Sequence, residues 1–300
     1  MRFPGLIVAG VVLAACQGVA EPAVVAATED TCTATEADAA LLETAEGADH
    51  EAALMRIEAC VASPDPAMRD DFAYTSLAAA MREGQVSADE ARAMMGRLMA
   101  VLDAPEADPE GYHRPFAALA LSEIARMDRI AAYLTDDERI ALALAGARYL
   151  NGLEDYRGFT DGEGWRHGVA HTADLFLQLA LNPELPPAAV PVMLDAIAGK
   201  VAPEGHAYVF GEPERLARPV LYLSINDAAA GTDWAAWFAA LGPAGDAAAW
   251  ETTYASEAGL ARLHNVRAFG EAVYIPVSKS EQPALIALGE AATGLLAALP

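Results

Sequence analysis

The chain has 300 residues, a formal net charge of -24 and 54% apolar residues. That length suits one domain of roughly 200–300 residues or two small ones, with enough apolar content to bury a large core. The acidity excludes a phosphate-backbone partner, so no nucleic acid is expected, and it opposes adsorption to anionic lipid. Its simplest role is solubility.

The amino terminus carries one cation, Arg2, and then an apolar run from Leu6 to Ala15. That run is shorter than the ~20 residues of a membrane span and has the dimensions of a secretory h-region. It ends in Leu13-Ala14-Ala15-Cys16, which resembles the lipobox of bacterial lipoproteins. The resemblance implies acylation of Cys16, cleavage before it, and export. The protein would then be lipid-anchored in the cell envelope, and with Gln17 following, at the outer membrane facing the periplasm in a Gram-negative cell. Cleavage after Ala20 by an ordinary signal peptidase is the alternative. The expected division is therefore a signal peptide at 1–15, a tether at 16–31 and a single domain at 32–300.

With Cys16 lipidated, Cys32 and Cys60 remain. Residues 36–46 and 50–61 read as an antiparallel helical hairpin, which sets the start of one helix beside the end of the other. Cys32 and Cys60 sit at those two places. An exported chain permits a disulfide there; two buried thiols are the alternative.

Helical periodicity continues over 67–83, 88–103, 115–128, 136–150, 161–181, 187–200, 213–229, 233–241, 247–271 and 282–298. Ser87/Glu90, Thr135/Glu138 and Thr160/Glu163 have the spacing of capping boxes. Only Ala207–Phe210 and Ala272–Ile275 suggest strand, and both are short. Short loops make neighbouring helices antiparallel, so the expected fold is all-α, a HEAT-like superhelix of helical hairpins. Alternate helices should then run parallel. That would gather His113, Asp155, Arg157, His206 and Glu212, near the starts of the helices around 115, 161 and 213, on one rim.

On a helix over 161–181, His167, His171, Asp174 and Gln178 fall within about 60° of one another, against an otherwise apolar surround that includes Trp165. Three readings stay open. His167, His171 and Asp174 ligate a metal, with zinc the natural candidate for two imidazoles at i, i+4. The strip is instead a groove in which Arg157 and the histidines meet a polar ligand or peptide. Or it is structural. Gly168 stands where the protease motif has glutamate, so that motif does not carry over. No phosphate loop, dinucleotide fingerprint or Gly-x-Ser-x-Gly elbow occurs. His264 reads as a packing residue and His50 as helix surface.

Asp155-Tyr156-Arg157-Gly158-Phe159, Gly164-Trp165-Arg166-His167, Ala170-His171-Thr172-Ala173-Asp174, Glu214-Arg215-Leu216 and Asn265-Val266-Arg267 resemble the bacterial family catalogued as domain of unknown function 2785, over about residues 110–275. The resemblance implies a helical fold and no activity. The leading expectation is a cell-envelope protein that binds or scaffolds through its polar rim, its partner an envelope protein or a small polar ligand. The rival is a metal-dependent hydrolase, with Asp155 or Glu212 moving protons. Whether the chain is an enzyme is left open.

Overall fold

The computed structural model describes residues 32–105 and 108–300. The expected signal peptide, Cys16 and tether lie outside the described residues. Thirteen α-helices make up the described chain: α1 Glu36–Thr44, α2 Ala48–Ala59, α3 Thr75–Arg82, α4 Ala88–Leu102, α5 His113–Ile130, α6 Asp136–Asn151, α7 Gly168–Ala180, α8 Ala189–Val201, α9 Glu212–Leu223, α10 Trp234–Leu241, α11 Ala247–Trp250, α12 Glu257–Val277 and α13 Pro283–Ala298. A wide helical turn, Ala67–Tyr74, leads into α3. The strands β1 Phe159–Thr160 and β2 Gly164–Trp165 pair antiparallel as one small hairpin.

The helices pack as pairs in two rows. One row runs α3, α5, α7, α9, α12, each touching the next; the other runs α4, α6, α8. Helical segments of the first row begin at residues 67, 113, 168, 212 and 257, at intervals of 46, 55, 44 and 45 residues. Each repeat buries its apolar stripe only against its neighbours, which is how a solenoid shares one core. The core is rich in alanine and leucine from these rows, with Phe116, Phe176, Phe238 and Phe269 filling larger gaps.

Caps set most boundaries. Ser87 and Glu90 form a capping box at α4, and Thr135 and Glu138 form one at α6. The expected helix at 247–271 is broken. Asp246 caps the four-residue α11, and Ser256 accepts from the Gly259 amide to start α12 afresh. A serine side chain that captures a backbone donor competes with continued helix. Neither strand suggested at 207–210 or 272–275 forms; Ala272–Ile275 lies inside α12. His50 is buried, 5% exposed, with Nδ1 2.8 Å from Glu90 Oε1, contrary to its expected surface place.

Cys32 and Cys60 are joined by a disulfide that ties the chain before α1 to the end of α2. The bond spans 28 residues, and on the chain-entropy account closing such a loop stabilises by about 3–4 kcal/mol. Replacing both cysteines by alanine is therefore expected to lower urea-unfolding stability by that order. Dithiothreitol should have the same effect on the unaltered protein and none on the variant.

Candidate functional site

The site begins where the expected helix 161–181 fails to form. Gly162 and Gly164 have φ of +80° and +77°, so Asp161-Gly162 closes a tight turn instead of a helix. The Glu163 amide donates to Thr160 O, which replaces the expected capping box. Donation from the Arg166 amide to Gly158 O and from the His167 amide to Arg157 O extends the hairpin ladder. α7 starts only at Gly168.

A fully buried arginine holds this hairpin. Arg69, from the wide turn before α3, is 0% exposed. It donates to Ser63 O, Pro64 O and, across the fold, Glu163 O at 2.7 Å. Its Nε lies 2.7 Å from Asp70 Oδ1. Burial raises the Asp70 pKa, with Arg69 opposing it. A side chain at Gly164 would sit 2.7 Å from Arg69 Nη2 and 2.8 Å from Pro66, so only glycine lets the strand approach. Arg69 and Arg166 both stack on Tyr112, at 4.2 and 4.1 Å from its ring centre. Arg166 also donates to Glu110 O and Glu163. Arg157 pairs with Asp155 and reaches the same Glu110 carbonyl. Burial pushes the Asp155 pKa up, but hydrogen bonds from Arg157 outweigh it and keep the carboxyl below its usual value.

His167 joins hairpin to helix. It is the one described non-glycine residue with positive φ, 54°, in the left-handed region. Such a conformation costs a non-glycine residue about 1–2 kcal/mol. Trp165 stacks on its ring at 4.8 Å and 22°. Trp165 in turn meets Phe159 and Phe210 edge-on, at 5.2 and 6.1 Å. Gly158 leaves the room that Phe210 fills, since a Cβ there would lie 2.2 Å from its ring. Trp165, Phe159 and Phe210 are 37%, 43% and 40% exposed.

Beneath these rings lie two buried imidazoles and a buried carboxylate. His167 Nε2 is 3.5 Å from Glu212 Oε1, too long for a hydrogen bond, and Nε2 is without another partner. Glu212 also accepts from the Phe210 amide. Burial raises its pKa, but His167 and backbone amides hold it below the ordinary value. The His171 ring is 5.8 Å from that of His167 and edge-on to Phe116 at 5.2 Å. Its Nδ1 donates to Pro115 O at 3.2 Å, which leaves Nε2 as the unprotonated nitrogen.

The expected metal set does not assemble. Asp174 is bound to Arg215, whose Nε lies 2.8 Å from Oδ1. Gln178 accepts from Arg129. Among the described residues no group of three His, Cys, Asp or Glu side chains has the geometry to hold a metal. The rim itself divides. Asp155 and Arg157 belong to the clamp around Glu110. His206 stacks on Tyr156 at 5.0 Å, beside Lys200 and Tyr208. His113 heads α5, its amide on Asp108, and shares no ring contact or ion pair with Trp165 or His167.

Sequence reasoning passed over Arg69, Tyr112, Phe159, Phe210 and the positioning role of Asn265. Asn265 accepts from the Tyr208 amide and donates to His206 O, fixing the loop that carries Phe210. The Asp161-Gly162 pair was the available signal for the hairpin.

Arg69→Met leaves three carbonyls without their donor and Asp70 without its counter-charge. It is expected to destabilise the protein by about 3–5 kcal/mol in urea unfolding, the cost of breaking a buried ion pair. Burial lowers the pKa of His113 and holds that of His171 well below 6.5. As pH falls through 6.5 the unfolded chain takes up protons that the folded chain refuses, so stability falls toward acid. Each histidine contributes up to about 1.4 kcal/mol per pH unit in that window. Urea titrations at pH 7 and pH 5 should show a smaller loss for His171→Gln than for the unaltered protein.

A family model described as "Protein of unknown function (DUF2785)" matches residues 98–275, which is 178 of 300 residues. The match contains α5 to α11, the hairpin and most of α12. Comparison with curated proteins and with solved structures gives no match. The helix pairs, the hairpin and its buried histidines thus lie within the matched segment, and the chain belongs to the DUF2785 family.

Proposed function

We propose that this protein is a recognition module of the cell envelope, anchored by acylation of Cys16, that engages an envelope partner through the hairpin rim. The carrying observation is the aromatic triad Phe159, Trp165 and Phe210, exposed together beside Val209, which is 72% exposed. Aromatic side chains dominate binding energy where they are presented in a fixed geometry. Hydrogen bonds from Arg69 and Arg166 fix this one before any partner arrives, which lowers the ordering cost of association. The left-handed His167 fits the same reading, since local strain clusters at binding sites.

A metal-dependent hydrolase using His167, His171 and Asp174 has less support, because Asp174 is engaged by Arg215. Photo-crosslinking in cells tests the proposal. A benzophenone side chain at position 209 should give a discrete adduct that is lost in Trp165→Ala. The same probe at Ile130, 64% exposed at the carboxyl end of α5, should not give it. Equal labelling from both positions, or an adduct insensitive to Trp165→Ala, overturns the reading.

A further inference from the structure

The chain holds 19 lysines and arginines against 43 aspartates and glutamates, so an arginine without a carboxylate is unexpected in it. Three such arginines flank α7. Arg126 and Arg129 lie a turn apart near the end of α5, both half-buried, and Arg218 is exposed on α9. Arg129 Nε donates to the neutral Gln178 of α7 at 3.0 Å, and neither Arg126 nor Arg218 has an ion pair or hydrogen bond among the described residues. The carboxylates of these helices are already engaged. Arg82 takes Glu123, Arg139 takes Asp128, Arg215 takes Asp174, and Glu212 faces His167. Among the described residues of α5, α7 and α9, only the carboxylate of Glu214 stays free, and it sits in the first turn of α9.

The arginines form one strip across three helices that pack in sequence. Gln178 stands one turn beyond Asp174 on α7, so the Arg129–Gln178 and Arg215–Asp174 contacts lie side by side. Arg218 is one turn beyond Arg215. Burial lowers the Arg215 pKa and the neighbouring Arg218 lowers it further, with Tyr74 opposing. Like charges held together with too few counter-charges repel, and an anion set among them relieves the repulsion.

We infer that this strip takes a short acidic segment of a partner protein, with carboxylates set on Arg126 and Arg129 at one end and on Arg218 at the other. A guanidinium fork matches a carboxylate with two parallel hydrogen bonds. Packed helix axes stand about 8–10 Å apart, and α7 separates α5 from α9, so one small anion does not span the strip. An extended segment advances roughly 3.3 Å per residue and crosses it in about five or six residues. The net charge of -24 repels a long polyanion, but screening over about 8 Å at physiological salt lets a short segment respond to the strip alone. The strip is separate from the aromatic triad, so it adds a second contact to the recognition reading and does not depend on the first.

Fluorescence anisotropy of a labelled hexaglutamate peptide with the purified full-length protein is the test. Saturable binding is expected, weakened at least tenfold in Arg126→Gln/Arg129→Gln and at least threefold in Arg218→Gln. Arg218→Gln changes one exposed side chain, so the inference stays testable if the double variant misfolds. Arg148→Gln/Lys279→Gln removes two exposed cations elsewhere and should leave binding unchanged. No saturable binding, or equal weakening in both double variants, overturns the inference. Inorganic phosphate or free glutamate that displaces the peptide at equal concentration overturns the peptide assignment. Trp165→Ala should bind the peptide unchanged, and loss there would place the acidic segment on the triad and overturn the strip. A crosslink from position 209 together with no hexaglutamate binding sinks the strip and leaves the recognition reading standing.

Discussion

The rim depends on one guanidinium sealed from water. Arg69 lies in the turn before α3, yet it donates to a carbonyl 94 residues away, in the hairpin. A buried arginine is costly unless it is compensated; here three carbonyls accept from its terminal nitrogens, the Asp70 carboxylate offsets its charge and Tyr112 stacks on its plane. The arrangement ties the amino-terminal repeats to an irregular segment that no helix ladder supports. Tyr112 completes it by stacking with Arg69 and Arg166, so that two like charges share one electron-rich ring.

His167 converts that anchoring into a site. Its left-handed backbone lets an extended ladder end and a helix begin with no residue between them. The turn aims the imidazole toward Glu212 while Trp165 covers its other side. Had the helix started at 161, His167 and His171 would be plain i, i+4 neighbours. With His167 as the left-handed cap its carbonyl still accepts from the His171 amide, but the rings meet nearly edge to face, and of the two rings only that of His171 forms a hydrogen bond among the described residues, to Pro115 O.

The helical architecture was legible because apolar residues recur at helical spacing and caps stand at the expected places, as at Ser87 and Thr135. Short loops led to the expectation of one shared rim, but of its five residues only Glu212 approaches His167, while His113, His206 and the Asp155–Arg157 pair stand apart. The hairpin was misread because Thr160 and Glu163 imitate a capping box, and periodicity alone does not register that Gly162 and Gly164 need positive φ. Asp174 looked like a ligand on the wheel because a projection of one helix omits Arg215 on another. Arg69 was invisible for the same reason, since its partners are remote in sequence. The cysteine pairing was readable because both partners sit within one local hairpin.

The repeat interval between α5 and α7 is 55 residues, where the other three are 44 to 46. The surplus is the length of chain that leaves α6 and returns through the hairpin before α7. In a solenoid each unit touches only its neighbours, but this excursion reaches back to Arg69 in the turn before α3 and is coupled to a unit two repeats away. The stack behaves as a frame and the excursion as a tip clamped to it. A change at Arg69 would therefore be felt at the hairpin tip, although the two lie 94 residues apart in the chain.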